Sequence, residues 1–375
     1  MQSSRGAIGP LDEFPLHQTP APLAWAGSSD RNFYDRCYLN AHDRTGDVFV
    51  ITGLGYYPNL GTKDAYFLVR RGDVQTALHV GDPIDGDRMN QHVGPYRIEV
   101  VEPLRKLRLV VEETEGIAAD MTWEGSFDVV QEHPHVMRQG HRITLDAQRF
   151  AQVGTWEGTI SVDGEEISLS RDRWVGTRDR SWGIRPVGEA EPAGRPADPP
   201  FEGMWWLYVP MRFDDFAIVL IMQEDGRGFR SLNDCTRVWP DGRVEQLGWP
   251  RVEIDYLPGT RTPTGATIRT TTASGSELLL EVESRLAVPL HAGGGYGGDP
   301  DWIHGQWHGE GFAERRTYDV NDQAVKDRFM FGCVDHVGRA VVHEGGASAE
   351  GFGLFEHFSI GRHDPTGFAD FFSLA

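Results

Sequence analysis

A chain of 375 residues with 36 Lys and Arg against 56 Asp and Glu carries a formal charge of −20, and its length corresponds to about two domains or one large β fold. So acidic a surface repels phosphate backbones and anionic lipid and excludes nucleic acid as a partner, while 39% hydrophobic and 11% aromatic residues exclude a disordered chain. No apolar run approaches the roughly 18 residues of a membrane span, and Met1 to Pro20 lacks a charged segment followed by an apolar one, so neither membrane insertion nor a secretory signal is expected.

In chain order, residues 1–29 read as an extended N-terminal arm. From there alternation at period two recurs and long 3.6-residue periodicity does not. Arg97-Ile98-Glu99-Val100 alternates, as does Lys106-Leu107-Arg108-Leu109 with Val111. Asp163-Gly164 separates Thr159–Val162 from Glu166–Leu169, and Asp241-Gly242 separates Arg237–Trp239 from Arg243-Val244; both read as hairpin turns with left-handed geometry. Phe216–Met222 is apolar on both faces, which suggests a central strand covered on each side. Leu278, Leu280 and Val282 set an apolar face against Glu281 and Glu283. The fold class is all-β. Val187–Pro200, with four prolines, has linker composition and divides residues 30–186 from residues 201–375, each long enough for an eight- to ten-stranded barrel or sandwich. Cys37, Cys235 and Cys333 are odd in number and far apart, which fits free thiols in a reducing, cytoplasmic setting.

Several motifs fail their own test. Gly293–Gly298 satisfies G-x-G-x-x-G formally, but Asp299-Pro300-Asp301 follows where a helix must open, so it reads as a mobile loop. His304 and His308 stand four apart without the general-base Glu of a zinc protease, and His133-Pro134-His135 with Gln139 and His141 has no second half-motif. Both read as polar-loop or pocket-rim histidines, and neither a metal nor a nucleotide cofactor is expected.

Three segments combine rare residues in tight order: Gly53–Gly61 with Tyr57-Pro58-Asn59, Gly176–Arg185, and Gly351–His357. The second reads either as a structural Asp–Arg network under a packed Trp or as a carboxylate and an indole facing a cavity, and the two are compatible. Arg178 and Arg180 flank Asp179 and should hold its carboxyl low. Glu356 lies among Phe352, Phe355 and Phe358, a poorly solvated setting that raises a carboxyl pKa and suits a general acid. Trp174, Trp182, Trp205, Trp206, Trp302 and Trp307 gather near the proposed junction. On a strand Trp206 and Tyr208 share one face and Trp205 takes the other.

Gln152-Val153-Gly154, Gly158-Thr159-Ile160, Asp163-Gly164 and Arg178-Asp179-Arg180-Ser181-Trp182-Gly183 together resemble the hydroxyneurosporene synthase (carotenoid hydratase) and AttH-like superfamily, in a branch with Tyr-Pro-Asn and Arg-Asp-Arg-Ser-Trp-Gly signatures. Asp179, Arg180 and Trp182 match the motif that closes the family's first domain, Thr177 departs from a Trp there, and Glu356 matches a late Glu. The resemblance implies two lipocalin-like (calycin-like) antiparallel β-barrels side by side and no cofactor. It also implies an enzyme (hydratase or other lyase, isomerase or cyclase) that acts on a hydrophobic small molecule: a terpenoid, steroid, polyketide or aromatic. Its catalytic candidates are Glu356, Asp179, His304 and His336; its substrate-binding candidates are Tyr57, Asn59, Trp182, Trp205, Trp206, Tyr208 and Trp307. The alternative is a non-catalytic lipocalin-like binding protein for such a molecule, and a homodimer is left open. The two functions divide on whether a carboxyl with a strongly raised pKa points into the cavity.

Overall fold

The computed structural model describes residues 8–188, 194, 198–296, 298–328 and 333–375. Residues 189–193 and 195–197 of the expected linker, residues 1–7 of the arm and Gly297 of the glycine run lie outside the described residues. The chain is all-β, 58% strand and 4% helix, in two curled antiparallel half-barrel sheets. The strands are β1 (Phe33–His42), β2 (Val48–Tyr57), β3 (Thr62–Arg71), β4 (Val74–Pro83), β5 (Gln91–Val93), β6 (Tyr96–Glu102), β7 (Lys106–Thr114), β8 (Ile117–Gly125), β9 (Val130–Gln131), β10 (His135–Gln139), β11 (Arg142–Val162), β12 (Glu165–Leu169) and β13 (Val175–Ile184). They continue as β14 (Gly203–Arg212), β15 (Ala217–Asp225), β16 (Arg230–Val238), β17 (Val244–Gln246), β18 (Arg251–Tyr256), β19 (Pro263–Thr271), β20 (Glu277–Pro289), β21 (Phe312–Asp319), β22 (Val334–Glu344) and β23 (Ala347–Gly361).

The first sheet runs β21-β4-β3-β2-β1-β13-β11-β8-β7-β6-β5, with β9, β10 and β12 also pairing β11; the second runs β17-β16-β15-β14-β23-β22-β20-β19-β18. β21 lies far down the chain yet pairs β4 of the first sheet. Each sheet curls around its own apolar core. Leu39, Val50, Phe67, Leu109, Trp123 and Trp156 fill the first; Trp205, Leu207, Leu220, Ile268, Leu280 and Phe355 fill the second. A third core lies between the sheets and draws on both: Tyr38, Phe49, Ile51 and Leu68 meet Trp206, Tyr208, Ile221 and Leu354. Along strands at the seam, such as β2 and β14, the period of two assigns alternate residues to the strand's own barrel and to this core. Trp206 and Tyr208 accordingly face the seam while Trp205 faces the second barrel.

Local chemistry explains the connections. Asp163 (φ 53°) and Gly164 (φ 80°) are both left-handed and join β11 to β12 in a tight hairpin. The Asp241-Gly242 turn differs: only Gly242 is left-handed (φ 79°), because the loop is longer and closes through Trp239 N–H to Arg243 O at 3.0 Å. Ala217–Asp225 is buried along every residue but the last, as a strand covered on both faces must be. Gly183 ends the Arg-Asp-Arg-Ser-Trp-Gly segment at φ 136°, and a Cβ there would stand 2.0 Å from Asp146 O. Only glycine accommodates both the angle and the approach of β11. Gly183→Ala is therefore expected to cost about 2 kcal/mol or more, read as a Tm several degrees lower in thermal denaturation; an unchanged Tm would show that β11 and β13 tolerate separation here.

Candidate active site

At one end of the seam the packing opens into a cavity of about 300 Å³. The first sheet lines it with Tyr34, Arg36 and Tyr38 from β1, Arg149 from β11 and Asp179 from β13; the second supplies Trp206, Gln223, Glu356 and Phe358. Arg185, Tyr296, Glu132, His135 and Cys333 close it. Register explains the convergence. Tyr38 opposes Asp179 and Arg36 opposes Ser181 across β1–β13, and Arg149 opposes Ser181 across β11–β13, so these side chains share one face. A wider groove of about 850 Å³ runs past Arg70, His291 and Lys326, with Asp327 as its one carboxylate. The acid–base groups are in the smaller cavity.

Asp335 and Glu356 are direct cross-strand partners on β22 and β23. Tyr38 O–H donates to Asp335 Oδ2, and Asn40 Nδ2, itself tied to Thr177 Oγ1 at 2.7 Å, donates to Tyr38 OH at 3.2 Å. The Cys333 thiol donates to Glu356 Oε1 at 2.8 Å. Burial, then the Glu356 charge, pushes the Asp335 carboxyl well above the usual range. Burial likewise raises Glu356, against the Cys333 bond and Arg149. Two facing carboxyls in a dry seam do not both ionise, so the pair retains a proton. Asp335 Oδ1 is buried without a hydrogen-bond partner among the described residues, and the Trp206 indole N–H is directed at Glu356, where it favours the ionised form.

Asp179 faces the cavity from the opposite sheet, and its carboxyl is raised by burial. The expectation that Arg178 and Arg180 hold it low is corrected: neighbours on a strand point to opposite faces. Arg178 Nε bonds Gln152 Oε1 at 2.8 Å, and Arg180 pairs with Asp35 at 2.9 Å. The cations that do favour an ionised Asp179 are Arg149, Arg36 and Arg185. Arg149 pairs with Glu132, whose carboxyl burial pushes up to about 7. His135 stacks on Trp206 with ring centroids 5.6 Å apart, bonds Gln223 Oε1 at 2.7 Å, and is driven down to about 4 by burial, so it is neutral at physiological pH.

Of the residues singled out from sequence, Glu356, Asp179 and Trp206 meet at the cavity, and Tyr208 lies beside it under the Arg149 guanidinium, 4.7 Å from its ring centroid. His133 and His135 stand at its rim. The others lie elsewhere. His304 bonds Gly294 O at 3.0 Å behind Tyr296; His336 turns toward Phe355 and bonds Ser284 Oγ at 2.6 Å. Tyr57 bonds Asp64 at 3.1 Å, and Asn59 ties down the arm through Ser28 O and Asp30 O at 2.8 and 2.7 Å. Trp205 faces the second barrel, and Trp182 and Trp307 are 39% and 52% exposed. The tryptophans therefore do not form one wall: Trp174 belongs to the first barrel's core and Trp302 stacks on His79. Sequence reasoning missed Tyr38, Arg149, Tyr296 and Asp335. The available signal was Arg36-Cys37-Tyr38-Leu39-Asn40-Ala41-His42, whose polar face passes for a solvated one.

Cys333, Asp335 and Glu356 place their ligand atoms within 4.8 Å of one another, the one grouping of metal-ligand spacing among the described residues. Burial and the neighbouring Glu356 and Asp335 charges hold the Cys333 thiol protonated, which disfavours it as a ligand. Neither histidine cluster forms such a group among the described residues. No described helix is long and apolar enough to cross a membrane, and all three cysteines are free.

The Asp335 shift fixes a pH dependence. A carboxyl raised on folding contributes stability fully below its unfolded pKa of about 3.9 and loses it as pH rises through the folded value, by about 1.4 kcal/mol per unit of separation. Asp335→Asn still accepts from Tyr38 but cannot ionise. In urea unfolding it should exceed the native chain by about 1 kcal/mol or more at pH 8 and show no advantage at pH 4; equal midpoints at pH 8 would mean that folding does not raise the Asp335 pKa.

The fold resembles solved structures at low identity. A protein assigned as AttH from Nitrosomonas europaea is 11% identical, with a TM-score of 0.52 over 92% of this chain and 98% of that one. CghA, also solved with Sch210972, is 11% identical, with a TM-score of 0.50 over 87% and 88%. Kievitone hydratase from Nectria haematococca is 13% identical, with a TM-score of 0.46 over 86% and 88%. The first two likenesses are of fold, the double lipocalin-like arrangement. No curated protein matches the chain by sequence. Residues 8–369 match the model of a family of unknown function, DUF8625, and the chain belongs to that family.

Proposed function

We propose that the chain is a cofactor-free acid–base enzyme acting on a hydrophobic small molecule held in the seam cavity, by hydration or dehydration, isomerisation or cyclisation. The observation that carries this reading is the placement of Glu356 and Asp179, two carboxyls raised by burial, on opposite walls of one cavity lined with Trp206, Phe358, Tyr34 and Tyr296. A carrier for such a ligand needs the cavity but gains nothing from desolvated acids within it. The motif resemblance to carotenoid hydratases supports the same class of chemistry.

Roles follow from the neighbours. Glu356 feels one guanidinium, Arg149, whereas Asp179 feels three; Glu356 is thus the acid and Asp179 the base. In a hydration, the Glu356 proton passes to the substrate double bond, and the cation formed is stabilised by the Trp206 and Phe358 faces. Water then adds, and its proton passes to Asp179. The proton taken up by Asp179 returns to Glu356 to close the cycle; Tyr38, opposite Asp179 on the neighbouring strand and hydrogen-bonded to Asp335, which is paired with Glu356, lies along that route. A 300 Å³ cavity is at the small end for organic ligands, which favours compact rings or short isoprenoids over long chains.

Native mass spectrometry of the purified chain, followed by extraction, tests the ligand class: a bound apolar molecule supports the reading, and an empty protein that binds no terpenoid or aromatic from a panel counts against it. With a substrate in hand, Glu356→Gln should lower kcat about 10²- to 10⁴-fold with ligand affinity and Tm nearly unchanged. Asp179→Asn should lower kcat comparably, and full activity in both variants would place the chemistry elsewhere.

A further inference from the structure

One corner of the cavity is rich in hydrogen-bond donors and poor in acceptors. Arg36, 6% exposed, lies with its guanidinium carbon 5.2 Å from the Tyr296 ring centroid, and Arg185 lies 5.8 Å from the same centroid. Arg185 also sits 5.6 Å from the Tyr34 ring. Each guanidinium carries five N–H donors. Among the described residues the one side-chain hydrogen bond from these donors is Arg36 Nη2–H to Tyr296 OH at 2.8 Å, which leaves the phenol's own proton to donate. Among the described residues neither guanidinium ion-pairs with a carboxylate, although Arg149 and Arg180 both do. Asp179 acts on both at longer range. Asp64, behind Arg36, is engaged by Tyr57 O–H at 3.1 Å and by Gly305 N–H at 2.6 Å.

Arginines do not neutralise themselves by losing a proton, so donors of this kind turned toward a cavity select an anionic acceptor. Two planar guanidinium groups beside one phenol match the two oxygens of a carboxylate. We infer that Arg36, Tyr296 and Arg185 form a carboxylate-binding subsite, and that the ligand is an otherwise apolar organic acid. Its carboxylate is held in this corner and its apolar body lies against Trp206 and Phe358. This rests on the reading of the seam cavity as the ligand site. The subsite fixes which end of the ligand enters first and so which atom meets Glu356.

Calorimetric titration of the full chain with 2-naphthoate and with neutral 2-naphthamide, which match in size and apolar surface, tests the subsite. The native chain should bind naphthoate roughly tenfold or more tightly than the amide. Arg185→Gln should erase that preference by weakening naphthoate while leaving the amide within about twofold, and Arg36→Gln should act in the same direction. Arg185→Lys keeps the charge but loses the fork and should fall between. Equal affinity of the native chain for the two probes, or a variant that weakens both alike, overturns the carboxylate subsite and leaves the cavity reading standing. Binding of neither probe to the native chain overturns both. The native comparison needs no variant to fold.

Discussion

A strand with a barrel core on one side and a second sheet on the other has no face on which to leave a charge solvated. β1, β2 and β3 of one sheet and β14, β15 and β23 of the other contribute residues both to a barrel core and to the seam. Most of the seam meets the constraint with apolar side chains such as Phe49, Ile51, Leu68 and Leu354. Where it does not, each polar group needs a partner or a changed protonation state. Asp335 leans on Tyr38, Glu356 on Cys333, and Arg149 on Glu132. The chemistry of the cavity follows from that placement: the desolvation that costs stability is what keeps a carboxyl protonated.

The two walls are unequal in charge. The first sheet contributes the cations and one base, the second an acid pair and the larger aromatic faces. The cavity is therefore polarised, with the guanidinium groups of Arg36 and Arg185 toward one side and the buried carboxyl of Glu356 toward the other. Neither barrel interior has this character, because Trp123 and Trp156 in one and Leu207 and Phe355 in the other fill them. In a single lipocalin-like barrel the lumen is the ligand site; here both lumens are packed and the cavity lies between the sheets.

The all-β class, the tight Asp163-Gly164 hairpin and the doubly covered Phe216–Met222 run were legible because alternation and turn residues act locally. The lining of the candidate cavity was legible where a motif carried it, as with Asp179, Trp206 and Glu356. It was illegible where polar residues alternate with apolar ones, because that pattern is the same whether the polar face meets water or a second sheet. Tyr38 and Arg149 were hidden for this reason. The reasoning about Arg178 and Arg180 failed on the same geometry, since adjacency in sequence places side chains on opposite faces of a strand. The concentration of tryptophans near position 200 of the chain likewise dispersed into two cores, a surface and one cavity wall.

β21 gives this architecture an order in time. β4 is made early and pairs β3 on one side, but its other side is filled by Phe312–Asp319, which follows most of the second sheet. On the ribosome, the first sheet waits through the synthesis of more than two hundred residues with β4 as an open edge, and such an edge is a template for pairing with another nascent chain. Closure joins distant segments, which makes it slow on topological grounds. The strand that completes the first sheet is laid down just before β22 and β23, which carry Asp335 and Glu356, so the means of sealing the edge leaves the ribosome ahead of the acidic wall.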